Sequence, residues 1–106
     1  MSAEYMHIGI PVTTKKPGMT YVESLKIWIS NPDDYEYKIE YVKFEEGTPF
    51  PEIMHRAPHV AFKVADIEAH LKEADQTIFP PTEIAPGTRI AFAIKDGAIL
   101  EFYELA

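Results

Sequence analysis

A chain of 106 residues with 46% hydrophobic content is long enough to bury one core, so we expect a single domain. It has no cysteine, which excludes disulfides, thiolate metal sites and cysteine nucleophiles. The net charge is −7 and the one basic cluster is the pair Lys15-Lys16, which makes nucleic acid and anionic membranes poor partners. The first residues lack a basic leader, and no stretch approaches the roughly 20 apolar residues of a membrane span, so we expect a cytoplasmic protein with a small-molecule partner.

The first half of the chain is predicted to be nearly all strand. A strand covers 5–12, and a loop that contains proline and glycine covers 13–20. The β-branched and aromatic residues of 21–29 predict one further strand. A turn signal at 31–34 then leads into an antiparallel return strand over 37–44.

The second half is predicted to contain the helix of the domain. Residues 47–57 are rich in proline and glycine and form a linker, which separates modules at about 5–46 and 58–106. A strand over 59–64 opens the second module, and Asp66 is a suitable N-cap for a short amphipathic helix.

Three strands are expected to follow this helix. The last two cover 89–94 and 98–105, and Asp96-Gly97 between them is a strong two-residue hairpin signal. The apolar stripe of the helix, which begins with Ile67 and Leu71, is expected to cover one face of this sheet.

The two halves repeat one polar pattern. Glu101 matches Glu40 at an offset of 61 positions and His59 matches His7 at an offset of 52, with apolar residues matched around each. Because neighbouring side chains of a strand point to opposite faces, the four polar side chains lie opposite the apolar sets. If the two half-sheets curl toward each other, the four can converge in a cleft. Two imidazoles and two carboxylates suit a divalent first-row metal with positions left for water or substrate.

The segments His-Val-Ala-Phe-Lys-Val-Ala-Asp-Ile-Glu at 59–68 and Lys-Asp-Gly-Ala-Ile-Leu-Glu-Phe at 95–102 resemble the vicinal oxygen chelate superfamily. That superfamily includes glyoxalase I, methylmalonyl-CoA epimerase, extradiol dioxygenases and the bleomycin-resistance binding proteins. The resemblance implies an α+β fold in which two βαβββ modules form an incomplete barrel. It also implies a divalent ion (zinc, nickel, cobalt, manganese or iron) bound at the matching positions, His7, Glu40, His59 and Glu101.

The first half departs from this pattern. Its histidine and glutamate are 33 positions apart, against 42 in the second half, and the missing positions fall where the helix of the first module belongs. We therefore expect the first module to lack its helix and one sheet face to be less covered. A partner chain could cover that face, which favours a homodimer and leaves open whether the cleft forms within one chain or between two.

Two functions of different classes follow from these residues. The first is a metal-dependent lyase, isomerase or epimerase, in which the metal stabilises an enediolate of a substrate with vicinal oxygens and Glu101 or Glu40 moves the proton. With iron, the same cleft could carry out dioxygenase chemistry, although the second carboxylate disfavours it. The alternative is a metal-free small-molecule binding protein of the bleomycin-resistance type. Trp28, Tyr103 and His55 are the candidate substrate-pocket residues in either case.

Overall fold

The structure is a computed structural model that describes residues 2–105. Over these residues the chain is mostly β-sheet, with eight strands and one α-helix of 5 residues. The expected α+β class is corrected to a mostly β one, because so short a helix cannot form a full layer. No helix in this part of the chain is long and apolar enough to cross a membrane. The strands are β1 Ala3–Pro11, β2 Thr20–Val22, β3 Ile27–Ile29, β4 Ile39–Phe44, β5 His59–Val64, β6 Gln76–Ala85, β7 Thr88–Lys95 and β8 Ala98–Leu105, and the helix is α1 Ile67–Leu71.

The described chain divides into two compact units. The first unit is His7–Pro58, and the second combines residues 2–6 with the chain from His59 onward. Strand β1 begins in the second unit and enters the first at His7.

Four strands of the first unit lie side by side in the order β2-β3-β4-β1. Strand β4 pairs in parallel with β1 and antiparallel with β3, and β2 pairs antiparallel with β3. Within residues 7–58 the only helical segments are two 3-10 turns, Pro32–Asp34 and Glu52–His55. This unit therefore lacks the helix, as its shortened spacing predicts.

The single strand predicted over 21–29 is instead a hairpin. Strand β2 ends at Val22 and β3 begins at Ile27, and the two pair antiparallel across a tight turn. The Leu25 N–H donates to the Val22 carbonyl, and Lys26 takes a positive φ of 51°. The apolar alternation concealed this turn because Leu25, although it lies in the turn, is buried like a strand residue.

The sheet of the second unit has the order β5-β8-β7-β6. Strand β5 pairs in parallel with β8, and β7 pairs antiparallel with β8 and with β6. The predicted hairpin is confirmed, because Asp96 and Gly97 form the turn between β7 and β8 with φ values of 53° and 80°.

Helix α1 packs on one face of this second sheet. The Asp66 carboxylate caps the helix by accepting the Ala69 N–H at 3.3 Å. Ile67 is fully buried against the sheet. It belongs to a core cluster with Val64, Ala91, Ala93 and Phe102. The two alanines leave room for the helix to pack closely on the sheet, which excludes water from the centre of this face.

Arg89 ties α1 to the sheet beneath it. Its guanidinium donates to the two Glu68 oxygens at 2.8 and 2.9 Å and to Glu104 Oε1 at 2.9 Å. The other Glu104 oxygen accepts the Ile67 N–H at 2.9 Å. Hydrogen bonds from Arg89 hold the pKa of Glu68 below its usual value, because they stabilise the charged carboxylate.

Truncation of Ile67 is expected to destabilise the fold strongly. Ile67→Ala removes side-chain carbons from a residue with 0% exposure, and such core changes cost about 2–5 kcal/mol. Urea denaturation measures the loss. Ile53→Ala is the matched control, because Ile53 is 37% exposed, and it is expected to cost less than about 1 kcal/mol. Equal losses in the two variants would contradict the packing of α1.

The hydrogen bonds between Arg89 and Glu68 also predict that the stability of the fold depends on pH. Because the pKa of Glu68 is lowered in the folded chain, its contribution is present above the ordinary value of 4.5 and is lost as pH falls through the lowered folded value. Thermal melts are expected to lose Tm between about pH 5 and pH 3, and Arg89→Met is expected to reduce the steepness of that loss. Arg56→Met, a change at an exposed arginine, serves as the control. If Tm falls with pH equally steeply in Arg89→Met and in the wild type, the hydrogen bonds between Arg89 and Glu68 are not the cause of that loss.

Candidate functional site

His7 and Glu40 meet on one face of the sheet in the first unit. The parallel register of β1 and β4 sets Gly9 opposite Glu40. Because side chains two residues apart on a strand share a face, His7 and Glu40 lie on the same one. The His7 Nε2 atom is 3.4 Å from Glu40 Oε1, and the two side chains are 7% and 17% exposed.

The second unit contains the same arrangement. The parallel register of β5 and β8 sets Ala61 opposite Glu101, and His59 precedes Ala61 by two positions. The His59 Nε2 atom is 3.3 Å from Glu101 Oε1, and the two side chains are 4% and 9% exposed. Each half of the repeat thus brings its histidine and its glutamate together within its own sheet.

A small buried residue lies opposite each glutamate. Gly9 pairs with Glu40, and Ala61 pairs with Glu101. The two halves of the repeat therefore share this feature beside their glutamates.

The spacing within each pair fits two ligands of one metal ion. A charge-assisted N–H···O bond is usually about 2.7–2.9 Å long. Ligand nitrogens and oxygens lie about 2.0–2.2 Å from zinc, so neighbouring ligands of one ion are roughly 3.0–3.5 Å apart. The observed separations of 3.4 and 3.3 Å fall in the second range.

Aromatic rings that were not predicted to belong to the site adjoin His59. The His59 ring meets Phe92 edge-on at 5.2 Å, and Phe92 meets Phe79 edge-on at 5.9 Å. Phe92 pairs directly with Glu101 across β7 and β8, so it shares the Glu101 face. The Asp96-Gly97 turn fixes the register of β7 and β8, so counting residues outward from the turn pairs Phe92 with Glu101. The sequence alone could therefore have identified Phe92 as a neighbour of the site.

Tyr103 shares a face with a predicted metal ligand. It follows Glu101 by two positions on β8, and it pairs with Ile90 on β7 and with Lys63 on β5. Tyr103 is half-buried, so part of its side chain is accessible on that face. Its assignment to a substrate pocket stays a prediction.

His55 lies on the Glu40 side of the first sheet. Its ring stacks on Phe44, with the ring centroids 4.2 Å apart, and Phe44 shares a face with Glu40 along β4. The His55 Nε2 atom is 3.2 Å from the Phe50 carbonyl oxygen, which can only accept a hydrogen bond, so Nε2 donates. The stacking places His55 about four residues along β4 from the glutamate.

Trp28 lies on the other face of this sheet. It pairs with Lys43, which alternates with Glu40 along β4 and so shares the Tyr41 face. Trp28 therefore does not join Glu40, and its assignment to the substrate pocket is not supported. The alternation along one strand could not show this, because the face of Trp28 relative to Glu40 depends on the register between β3 and β4.

A separate cluster of acidic side chains, in the second unit, has a structural role. Asp66, Glu68 and Glu104 bring three carboxylates together, but Arg89 donates to two of them and Asp66 caps α1. The buried histidine and glutamate side chains are the ones that could hold a metal ion.

Comparison with known proteins supports the fold alone. No model of a known protein family matches the sequence, and no curated protein matches it. Among solved structures, the chain is similar to the crystal structure of hypothetical protein BH1468 from Bacillus halodurans C-125, at 27% identity and a TM-score of 0.69. The similarity covers 100% of this chain and 96% of that chain. Because that protein is itself described as hypothetical, the similarity assigns no activity.

Divalent ions are expected to stabilise this chain. At a free-ion concentration about 100 times Kd, binding to the folded state alone adds about 2.7 kcal/mol and raises Tm. Thermal melts of chelator-treated protein with zinc, nickel, cobalt or manganese measure the shift, which His7→Ala and His59→Ala are expected to remove. His70→Ala is the control, because the His70 ring packs on Phe102 away from both pairs. A shift of equal size in all three variants would contradict binding by the pairs.

Proposed function

We propose that this chain is a metal-dependent enzyme of the vicinal oxygen chelate type, which moves a proton on a small substrate with two neighbouring oxygens. The observation that carries the proposal is the buried histidine–glutamate pair, which occurs once in each unit at nearly equal separation. The two pairs lie at matching strand positions of the two units, as a site built from both halves of the repeat requires.

The chemistry of the donors fits a divalent first-row metal. Imidazole nitrogens and carboxylate oxygens suit zinc, nickel, cobalt, manganese and iron. Four protein ligands would leave two positions of an octahedral ion for the substrate oxygens. When bound, the ion would supply Lewis-acid polarisation of those oxygens. The proposal requires both pairs to serve one ion, with His7, Glu40, His59 and Glu101 as its ligands.

A carboxylate of the same set is assigned the proton transfer. Glu101 and Glu40 are the candidates, and the Glu101 side chain is the less exposed of the two. A carboxylate sheltered from water keeps the proton it has accepted close to the substrate for return. We therefore assign the main proton-transfer role to Glu101.

The substrate that suits this arrangement is a small α-hydroxycarbonyl compound. Its two adjacent oxygens can chelate, and its C–H bond lies next to the polarised carbonyl. The proton leaves carbon for the Glu101 carboxylate, and its return to the same carbon gives an epimerase outcome. Its return to the neighbouring carbon, with transfer of the hydroxyl proton to the former carbonyl oxygen, gives an isomerase outcome. A lyase outcome follows if a bond beside that carbon breaks after the proton has left.

Exchange of a substrate proton with solvent tests this function. The metal-loaded chain is incubated in deuterium oxide with hydroxyacetone, dihydroxyacetone and glyceraldehyde, and NMR records the loss of the C–H signal. At a metal concentration that saturates the variant, Glu101→Gln is expected to lower the exchange rate by about 10²- to 10⁴-fold, which is the usual contribution of a general base. Glu46→Gln changes the same chemical group at an exposed position and is expected to leave the rate unchanged.

Two outcomes would contradict the proposal. If a Glu101→Gln variant that retains its metal exchanges the C–H proton as fast as the wild type, Glu101 does not carry the proton. A wild-type chain that binds no ion, or one whose exchange rate equals that of the ion alone in solution, would favour the metal-free binding protein instead.

A further inference from the structure

One face of the first sheet carries apolar residues with no helix over them from its own unit. The register of β1 and β4 sets Ile8 opposite Ile39 and Ile10 opposite Tyr41, and Trp28 on β3 lies on the same face. All five residues are half-buried, so each keeps part of its surface in water. We call these five residues the open face.

The second unit shows what covers the equivalent positions there. By the offsets of the repeat, Tyr41 matches Phe102, which is buried in the cluster under α1. The covering helix presents Ile67 and Leu71 to the sheet, and it is flanked by Glu68 and other acidic residues. An amphipathic helix with an acidic flank is thus the element that this type of sheet face binds.

Two lysines lie over the open face. The Lys15 Nζ atom is 4.0 Å from the centroid of the Trp28 ring, and the Lys16 Nζ atom is 4.5 Å from that of Tyr41. Lys43 pairs with Trp28 across β3 and β4 and donates to Glu45 at 2.6 Å, and Glu45 also interacts with Lys15. Three lysines and one glutamate therefore give this part of the open face a net positive charge, in a chain whose net charge is −7.

We propose that the open face docks an amphipathic helix of another protein, with an apolar stripe toward Ile10, Tyr41 and Trp28 and acidic residues toward Lys15 and Lys16. The half-exposed apolar residues supply the contact area. The two lysines supply the charge complementarity that selects the partner and its orientation.

A second copy of this chain fits the open face less well. Two copies packed through the same face about a two-fold axis would present identical surfaces to each other, so the interface would contain Lys15 and Lys16 of both copies. Like charges brought together across an interface are unfavourable, whereas an acidic helix neutralises them. The proposed occupant is therefore a helix of a different protein.

The probe for this proposal is a synthetic peptide with the sequence of residues 65–76. It contains the stripe and acidic flank of α1, and a hydrocarbon staple that replaces Ala65 and Ala69 keeps so short a segment helical. Trp28 is the single tryptophan of the chain and the peptide has none, so Trp28 emission during titration of the full chain reports binding at the open face. The expected result is a saturable shift of that emission to shorter wavelength.

Matched changes separate the two parts of the interaction. The double variant Lys15→Gln and Lys16→Gln is expected to raise Kd about fivefold or more. Lys63→Gln with Lys72→Gln removes the same charge at exposed positions and is expected to leave Kd unchanged. Serine at the peptide positions of Ile67 and Leu71 is expected to abolish the shift.

Three results would overturn the proposal. The first is the absence of any saturable change in Trp28 emission, and the second is equal binding of a charge-reversed peptide with lysine at positions 68 and 73. The third is a dimer of the unliganded chain in sedimentation that Tyr41→Glu dissociates, because a second copy would then occupy the open face.

Discussion

The parallel register of β1 with β4, and of β5 with β8, determines which side chains meet in each unit. In both cases a small residue stands opposite a glutamate, and a histidine precedes the small residue by two positions. A slip of one residue in either register would send the histidine and the glutamate to opposite faces. The 3.4 and 3.3 Å separations, and the chemistry proposed from them, depend on this pairing.

Burial of the two histidine–glutamate pairs costs free energy of folding if the pairs have only a structural role. Removing imidazole and carboxylate groups from water is unfavourable unless hydrogen bonds or metal ligation compensate it. The remaining cores of the two sheets contain mainly aliphatic and aromatic residues, which would fill the same positions at lower cost. The repetition of the costly arrangement in both units is best explained by a function that needs polar ligands in sheltered places.

The sequence predicts the features that depend on local chemistry or on the repeat. Asp66 caps the helix and Asp96-Gly97 forms the hairpin turn, because both depend on a few adjacent residues. The matched offsets also predict that each histidine shares a face with its glutamate. The four residues are predicted to form one metal site. That both pairs bind the same ion stays a prediction.

Features that depend on register or on tertiary burial are harder to predict from the sequence. The turn at Leu25 resembles a strand because its leucine is buried in the folded unit. Trp28 alternates correctly along β3, but its face relative to Glu40 is fixed only by the pairing of β3 with β4. The environment of His59 likewise depends on cross-strand pairing, which brings Phe92 opposite Glu101.

The measurement that tests the central claim most directly is the number of metal ions bound per chain. Equilibrium dialysis against zinc or cobalt, followed by elemental analysis, is carried out on the wild type, Glu40→Gln and Glu101→Gln. A single site built from both pairs predicts one ion per wild-type chain and weakened binding in each variant, although the two substitutions lie in different units. Two ions per chain, one ion that only one of the substitutions affects, or no bound ion at all would contradict it.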